Sequence, residues 1–284
     1  MPIDVQRALG AALPAIETAW DQDRVILYHL GVGAGVSPTD PNELAYTYEG
    51  ALKVLPSFGT IPPFGSMMGV AGVEGMDVNL ALLLHGEQDL ELARPIPVSA
   101  TAVHEGRIAA IYDKGKAAVA VVEVVTSDAR NGEVLFTNRS SLFLRGEGGW
   151  GGDPGPGPAN EPPDRGPDLE VVSPTLPQQA LLYRLSGDKN PLHADPAFAA
   201  MGGFDRPILH GLCSYGIACK AVVDRALGGD VGAVARYQAR FAGVVFPGES
   251  IVTRMWDDGD RVVVAAHTLE RKTPVISNAA VWRR

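Results

Sequence analysis

Only two cysteines occur in the 284 residues, Cys213 and Cys219. Both fall in one apolar helical pattern, and no Cys or His pair has zinc spacing. A disulfide framework or a structural zinc site is therefore not expected, and two buried thiols are. Basic charge is also scarce: 24 Lys and Arg stand against 33 Asp and Glu, a net −9. That balance argues against a nucleic-acid surface, which needs a basic patch. An anionic ligand would need a local cluster of Arg and Lys. No apolar run approaches the ~20 residues that span a bilayer, so no membrane association is expected. The N-terminus lacks a basic start followed by an apolar core, so no signal peptide is read. The final Val281-Trp282-Arg283-Arg284 does not read as a peroxisomal address. The cytoplasm is the expected compartment.

What is abundant is apolar and β-branched sequence, with 46% hydrophobic residues and length for a large core. Residues 146–167 interrupt it with Gly, Pro and charge and no apolar period. Such a stretch continues neither a helix nor a central strand. It is read as a long linker, partly extended and mobile. It divides the chain into halves of similar size that share a pattern. Runs at 97–105, 116–127 and 133–144 have counterparts at 249–256, 261–269 and 274–282. These β-rich runs suggest strands covered on both faces. Ahead of them, 211–227 is apolar nearly all round, as in a buried helix. The counterpart in the first half is expected at 64–71, or through 79–84. Each half thus reads as a buried helix wrapped by an antiparallel sheet, an α+β architecture.

The chemistry concentrates between Tyr183 and Cys213. Asp188, Asn190 and His193 fall within six residues, around Pro191. A bland reading makes them a polar turn, since Asp, Asn and Pro are turn formers. Asp195-Pro196 fits that reading, as an N-cap followed by Pro at the first helical position. Asp188 and His193 do not fit it. Gly211 opens the candidate helix, where a backbone N–H can meet developing negative charge. A Gly there lets a ligand approach closely.

Gly187-Asp188-x-Asn190-Pro191-Leu192-His193-x-Asp195-Pro196, followed by Pro207-Ile208-Leu209-His210-Gly211-Leu212-Cys213, resembles the MaoC-like hydratases. The resemblance is closer still to the two-domain (R)-specific 2-enoyl-CoA hydratases, the hydratase 2 type. It covers nearly the whole chain, including Leu30 to Gly35 and Val54 to Phe58 more weakly. It implies a double hotdog fold. Residues 1–148 would be a non-catalytic repeat that accommodates the acyl chain, 149–170 a linker, and 171–284 the catalytic repeat. It implies reversible hydration of trans-2-enoyl-CoA to (3R)-3-hydroxyacyl-CoA, with no cofactor and no metal, in a homodimer. Asp188 and His193 match the catalytic pair, Asn190 the residue that helps hold the water, and Gly211 the oxyanion donor.

The remaining assignments are looser. His210 is expected to shape the turn and border the substrate; a third catalytic role is the alternative. Arg184, Lys189, Arg206 and Lys220 are the positives nearest the motif, with Arg206 favoured for coenzyme A phosphates. Met67, Met68 and Met76 with Phe58 and Phe64 form an apolar neighbourhood suited to core packing or to an acyl chain. Gly31 to Gly35 has the wrong spacing for a dinucleotide loop. The rival functions are a dehydratase acting on a carrier protein, a hotdog thioesterase and a non-catalytic acyl-CoA binding protein.

Overall fold

The computed structural model describes residues 3–76 and 83–284. Its elements run α1 (Val5–Ala8), β1 (Ile16–Trp20), α2 (Gln22–Gly31), α3 (Pro41–Thr47), α4 (Phe64–Met68), β2 (Leu83–Leu92), β3 (Ala100–Asp113), β4 (Ala117–Asp128) and β5 (Val134–Arg145). The second half follows with β6 (Leu169–Pro174), α5 (Gln179–Tyr183), α6 (Pro196–Met201), α7 (Gly211–Ala226), β7 (Val234–Phe241), β8 (Ser250–Asp257), β9 (Arg261–Thr268) and β10 (Pro274–Arg283).

The ten strands of the described residues join one antiparallel sheet in the order β1-β3-β4-β5-β2-β7-β10-β9-β8-β6. The order reads the same from either end once each strand is matched to its counterpart: β1 with β6, β3 with β8, β4 with β9, β5 with β10, β2 with β7. Two five-stranded repeats therefore meet edge to edge at the β2–β7 pair, as in a double hotdog. The seam registers Glu87 against Arg240 and Asp89 against Gln238. Arg240 pairs with Glu87 at 2.6 Å and Arg236 with Asp89 at 2.8 Å. Those outward arginines break the apolar run of β7, which hides this strand from a reading of the sequence.

The runs expected to be strands are strands, with β3 running on to Asp113. Their burial differs from the expectation of two covered faces. In β4 buried and half-buried residues alternate along nearly the whole strand. One face packs on the core and the other faces outward, the usual condition of an antiparallel sheet.

Helix α7 is the axis of the second repeat. Eleven of its sixteen residues are buried, and both cysteines are buried free thiols. It packs on β6 to β10 and on the 3₁₀ turn Pro56–Thr60. Gly216 lets α2 approach it: a Cβ there would lie 2.5 Å from Val32 Cγ1 and 2.6 Å from Tyr28 Oη. Gly216→Ala is expected to destabilise the fold by about 1–3 kcal/mol through overpacking, read as a lower midpoint in urea unfolding.

The first repeat carries no equally long helix among its described residues. Its counterpart is the five-residue α4, continued by a 3₁₀ turn at Gly69–Gly72. Gly65, Gly69 and Gly72 explain the weakness, since glycine disfavours helix by about 1 kcal/mol relative to Ala. Of the longer alternative at 79–84, residues 79–82 lie outside the described residues, and Leu83 and Leu84 belong to β2.

The segment read as a mobile linker is irregular but held along much of its length. The Asp113 carboxylate accepts backbone N–H groups of Gly149, Gly151 and Gly152. These bonds, with that of Gly115, pull its pKa down to about 2. Asn160 is buried. Its amide reaches Gln238 at 3.2 Å, and its oxygen accepts from Arg261 at 3.0 Å. Trp256 donates its indole N–H to the Arg165 carbonyl at 3.0 Å. The segment is a strap across the sheet. Composition forbade helix and strand correctly, but said nothing of side chains elsewhere that capture an extended chain.

Candidate active site

Helix α5 and a 3₁₀ turn at Arg184–Ser186 lead to Gly187, whose φ of 144° suits glycine alone. The chain then turns into Asp188. Asp188 Oδ1 accepts the Asn190 N–H at 3.0 Å. Asn190 Oδ1 accepts the Leu192 N–H at 3.0 Å, capping the short turn Pro191–His193. Asp195 caps α6 as expected, accepting the Ala197 N–H at 2.8 Å. These local bonds make the loop rigid, and they leave Asp188 Oδ2 and the Asn190 amide group to face outward chemistry.

His193 is buried, and its Nδ1 lies 2.9 Å from the Ile208 carbonyl. A carbonyl only accepts, so Nδ1 carries the proton and Nε2 presents a bare lone pair. Nε2 stands 4.0 Å from Asp188 Oδ2. That gap suits a water donating one hydrogen to each. Burial holds the His193 pKa below 6.5, partly opposed by the Ile208 carbonyl and the Asp188 charge, and aided by Arg184. His193 is thus neutral and basic at pH 7. The acidic limb of kcat/KM is expected to fall below pH 6.5, because lowering the pH charges Nε2 only there. A limb above 6.5 in a pH–rate profile would contradict this assignment.

His210 precedes α7 as its N-cap and gives no side-chain cap. The Cys213 N–H donates to the His210 carbonyl at 3.1 Å, whereas the exposed Gly211 and its neighbour Leu212 have no backbone acceptor among the described residues and leave their amides to another acceptor. Phe241 closes one side of Gly211, 3.3 Å from where a Cβ would stand. His85 of β2 meets the same ring edge to face at 5.1 Å.

A narrow cleft of about 10 Å³ starts beside Leu212 and is lined by Phe64, Met67, His85, Gln88 and Asn138 among others. Phe64 and Met67 therefore share a cleft with Leu212, the residue next to Gly211. Phe58 and Met76 instead lie buried in the two core clusters, and Met68 is exposed. Sequence reasoning passed over His85, Gln88 and Asn138, for they stand on two strands with no motif around them.

The expected phosphate-binding positives separate. Arg206 is exposed, has no ion pair among the described residues, and stacks on Phe246 at 4.7 Å, a ring that Arg271 also meets at 4.9 Å. Leu209 N–H donates to the Val245 carbonyl at 2.7 Å, which keeps this group beside the motif. Lys189 is exposed; Arg184 is half-buried and donates to the Lys189 carbonyl at 3.1 Å. Lys220 is a correction: Glu43 and Asp224 hold it at 2.7 and 2.8 Å, away from the loop. Its side chain is largely buried between these two acids, a pairing that proximity in sequence could not reveal.

Asp188, His193 and His210 each bring one ligand atom within 4.8 Å of the others. The two imidazoles are stacked, 3.7 Å apart and inclined by 28°. Lone pairs lie in the ring planes and so run side by side. Both cannot meet one ion at ~2.0–2.1 Å. The cluster suits proton transfer better than metal binding. The Gly31 to Gly35 loop is closely packed: the Gly31 carbonyl accepts from Gln179 at 2.7 Å and Cys213 at 3.3 Å.

A sheet wrapped twice around short and long helices, with an Asp/His pair before a glycine-led helix, defines a double hotdog protein of the dehydratase class. Residues 19–146 match the MFE-2 hydratase 2 N-terminal domain, and residues 158–279 the MaoC like domain. The chain is 48% identical to the enoyl-CoA hydratase ChsH3 of Mycobacterium tuberculosis, over 97% of both chains. It is 39% identical to the peroxisomal enoyl-CoA hydratase 2 of Arabidopsis thaliana, over 95% of this chain and 92% of the other. The crystal structure of a MaoC-like dehydratase from Phytophthora capsici superposes with a TM-score of 0.90 at 31% identity, covering 99% and 98% of the two chains. The chain belongs to the MaoC-like hydratase family, in its two-domain hydratase 2 form. Among the described residues no helix is long and apolar enough to cross a membrane.

Proposed function

We propose that this protein reversibly hydrates trans-2-enoyl-CoA to (3R)-3-hydroxyacyl-CoA. The observation that carries this reading is the bare Nε2 of His193 standing 4.0 Å from Asp188 Oδ2, beside the open N-terminus of α7. The thioester oxygen sits against the Gly211 N–H, where the helix end stabilises the enolate oxygen. One water lies between Asp188 and His193, held also by the Asn190 amide. Its O–H bond breaks as its oxygen bonds to C3. The proton received by the pair passes to C2, on the same face, so the addition is syn. The acyl chain points past Leu212 toward Phe64 and Met67. Arg206, with Lys189 and Arg184, meets the anionic end of coenzyme A, and His210 borders the site. The first repeat, residues 1–148, serves as the acyl-accommodating half and 171–284 as the catalytic half. The pair works without metal or cofactor, in a homodimer in the cytoplasm.

The test mixes purified protein with crotonyl-CoA and a longer enoyl-CoA and follows loss of the enoyl-thioester absorbance, with chiral analysis of the product. Loss with a (3R) product supports the reading. Turnover on a carrier-protein thioester alone would replace coenzyme A as the substrate. Release of free thiol would make the protein a thioesterase, and tight binding without turnover a sensor.

A further inference from the structure

His210 lies next to last in an aromatic column that crosses from the first repeat to the catalytic loop. Trp20 meets Phe58 at 5.9 Å, Phe58 meets Tyr28 at 5.5 Å, and Tyr28 meets Tyr183 at 6.1 Å. Tyr183 meets His210 at 4.9 Å, and His210 stacks on His193 at 3.7 Å. From Trp20 to His210 every member is buried almost completely. We infer that His210 is a positioning residue: it carries the packing of the first repeat onto the face of His193 and ties that ring to the Asp188 backbone.

Three observations support the assignment. His210 Nε2 lies 3.2 Å from the Asp188 carbonyl, so it donates its proton there and holds the peptide that follows the carboxylate. Its other nitrogen, Nδ1, is buried with no partner among the described residues, which leaves it no relay to solvent. The Tyr183 hydroxyl is likewise buried and unpartnered, so that ring serves by shape. Burial, with His193 and Arg184 nearby, keeps His210 neutral, with its pKa pushed down to about 2. A neutral ring can remain stacked on His193 when His193 takes a proton, whereas a charged one would repel it. The charged or titratable groups around the pair are Asp188, Arg184, Tyr183 and Cys213.

The column also explains why the first repeat matters to chemistry it does not perform. Tyr28 and Gly31 belong to α2, and a Cβ at Gly31 would lie 3.3 Å from Tyr183 Cα. The backbone of α5 is therefore seated directly on α2. Misplacing a catalytic group by about 1 Å can cost 10²-fold in rate, so a rigid seat behind His193 has large leverage.

This inference rests on the hydratase reading, and its test separates the two. His210→Phe keeps the stack and removes the N–H donor; His210→Ala removes both. Steady-state kinetics should show kcat down about 3–10-fold in His210→Phe, the value of one hydrogen bond. His210→Ala should lose about 10²-fold, and KM should change little in either. The His193 ring is also titrated by NMR in the unliganded chain, which needs no turnover. Its pKa should rise toward 6.5 in His210→Ala, as water reaches the ring, and stay put in His210→Phe. Tyr183→Leu should move it in the same direction by less, and serves if His210→Ala does not fold. A His210→Phe chain as inactive as His193→Ala would make His210 a proton carrier and overturn the inference. So would an unmoved His193 titration in both His210→Ala and Tyr183→Leu, whatever the activity of the parent.

Discussion

His193→Ala is expected to abolish hydration of crotonyl-CoA while leaving the protein folded. The imidazole presents its bare Nε2 to Asp188 Oδ2, 4.0 Å away. General acid–base help is worth roughly 10²–10⁴-fold, and here one group must both orient the water and share its proton. A fall of about 10³-fold or more in kcat is the expected result. Asp188→Asn should act similarly, since the amide cannot accept the proton though it keeps the shape. Asp188 is only half-buried and His193 sits at the rim of the core, so neither truncation opens a large cavity. Far-UV circular dichroism and the urea midpoint should stay close to the parent. Near-normal turnover in either variant would remove the pair from the mechanism.

Deleting residues 150–165 and joining the ends with a short Gly/Ser linker is expected to destabilise the fold strongly. The segment's composition predicts that it can be spared; its contacts predict otherwise. The deletion strips Asn160 from Arg261 and Gln238, the Arg165 carbonyl from Trp256, and two of the strap amides from Asp113. Trp256 stays behind with its buried indole N–H unpaired. At roughly 1 kcal/mol for each lost hydrogen bond, leaving Asp113 uncounted, the loss is about 3 kcal/mol. Exposure of the sheet surface under Trp150 adds to it, because that indole packs on the second core cluster. Against a total stability of about 5–15 kcal/mol, this is a large fraction. Urea unfolding of the deletion would show it directly. A midpoint equal to the parent's would return the strap to the status of a tether.

Much of the β architecture was legible because local sequence and tertiary demand coincide. The runs at 116–127 and 274–282 are dense in β-branched residues, and they became β4 and β10. Strands β2 and β7 were not legible. Their outward faces carry Glu87, Asp89, Arg236 and Arg240, which look like loop sequence until the partner strand supplies the opposite charge. The short α4 was overestimated for a related reason. An apolar stretch rich in glycine and methionine can pack as core without forming a long helix.

By itself the sequence determined the chemical inventory: an acid, an amide and an imidazole in one capped loop, and a glycine at the head of a buried helix. It did so because these groups lie within a few residues, where turn and capping rules act locally. Only the tertiary structure decided which nitrogen of His193 is free, since the Ile208 carbonyl that settles it belongs to another segment. The same holds for the strap and for the column from Trp20 to His193. Their members lie far apart in the chain, and only folding the two repeats onto one another brings them into contact.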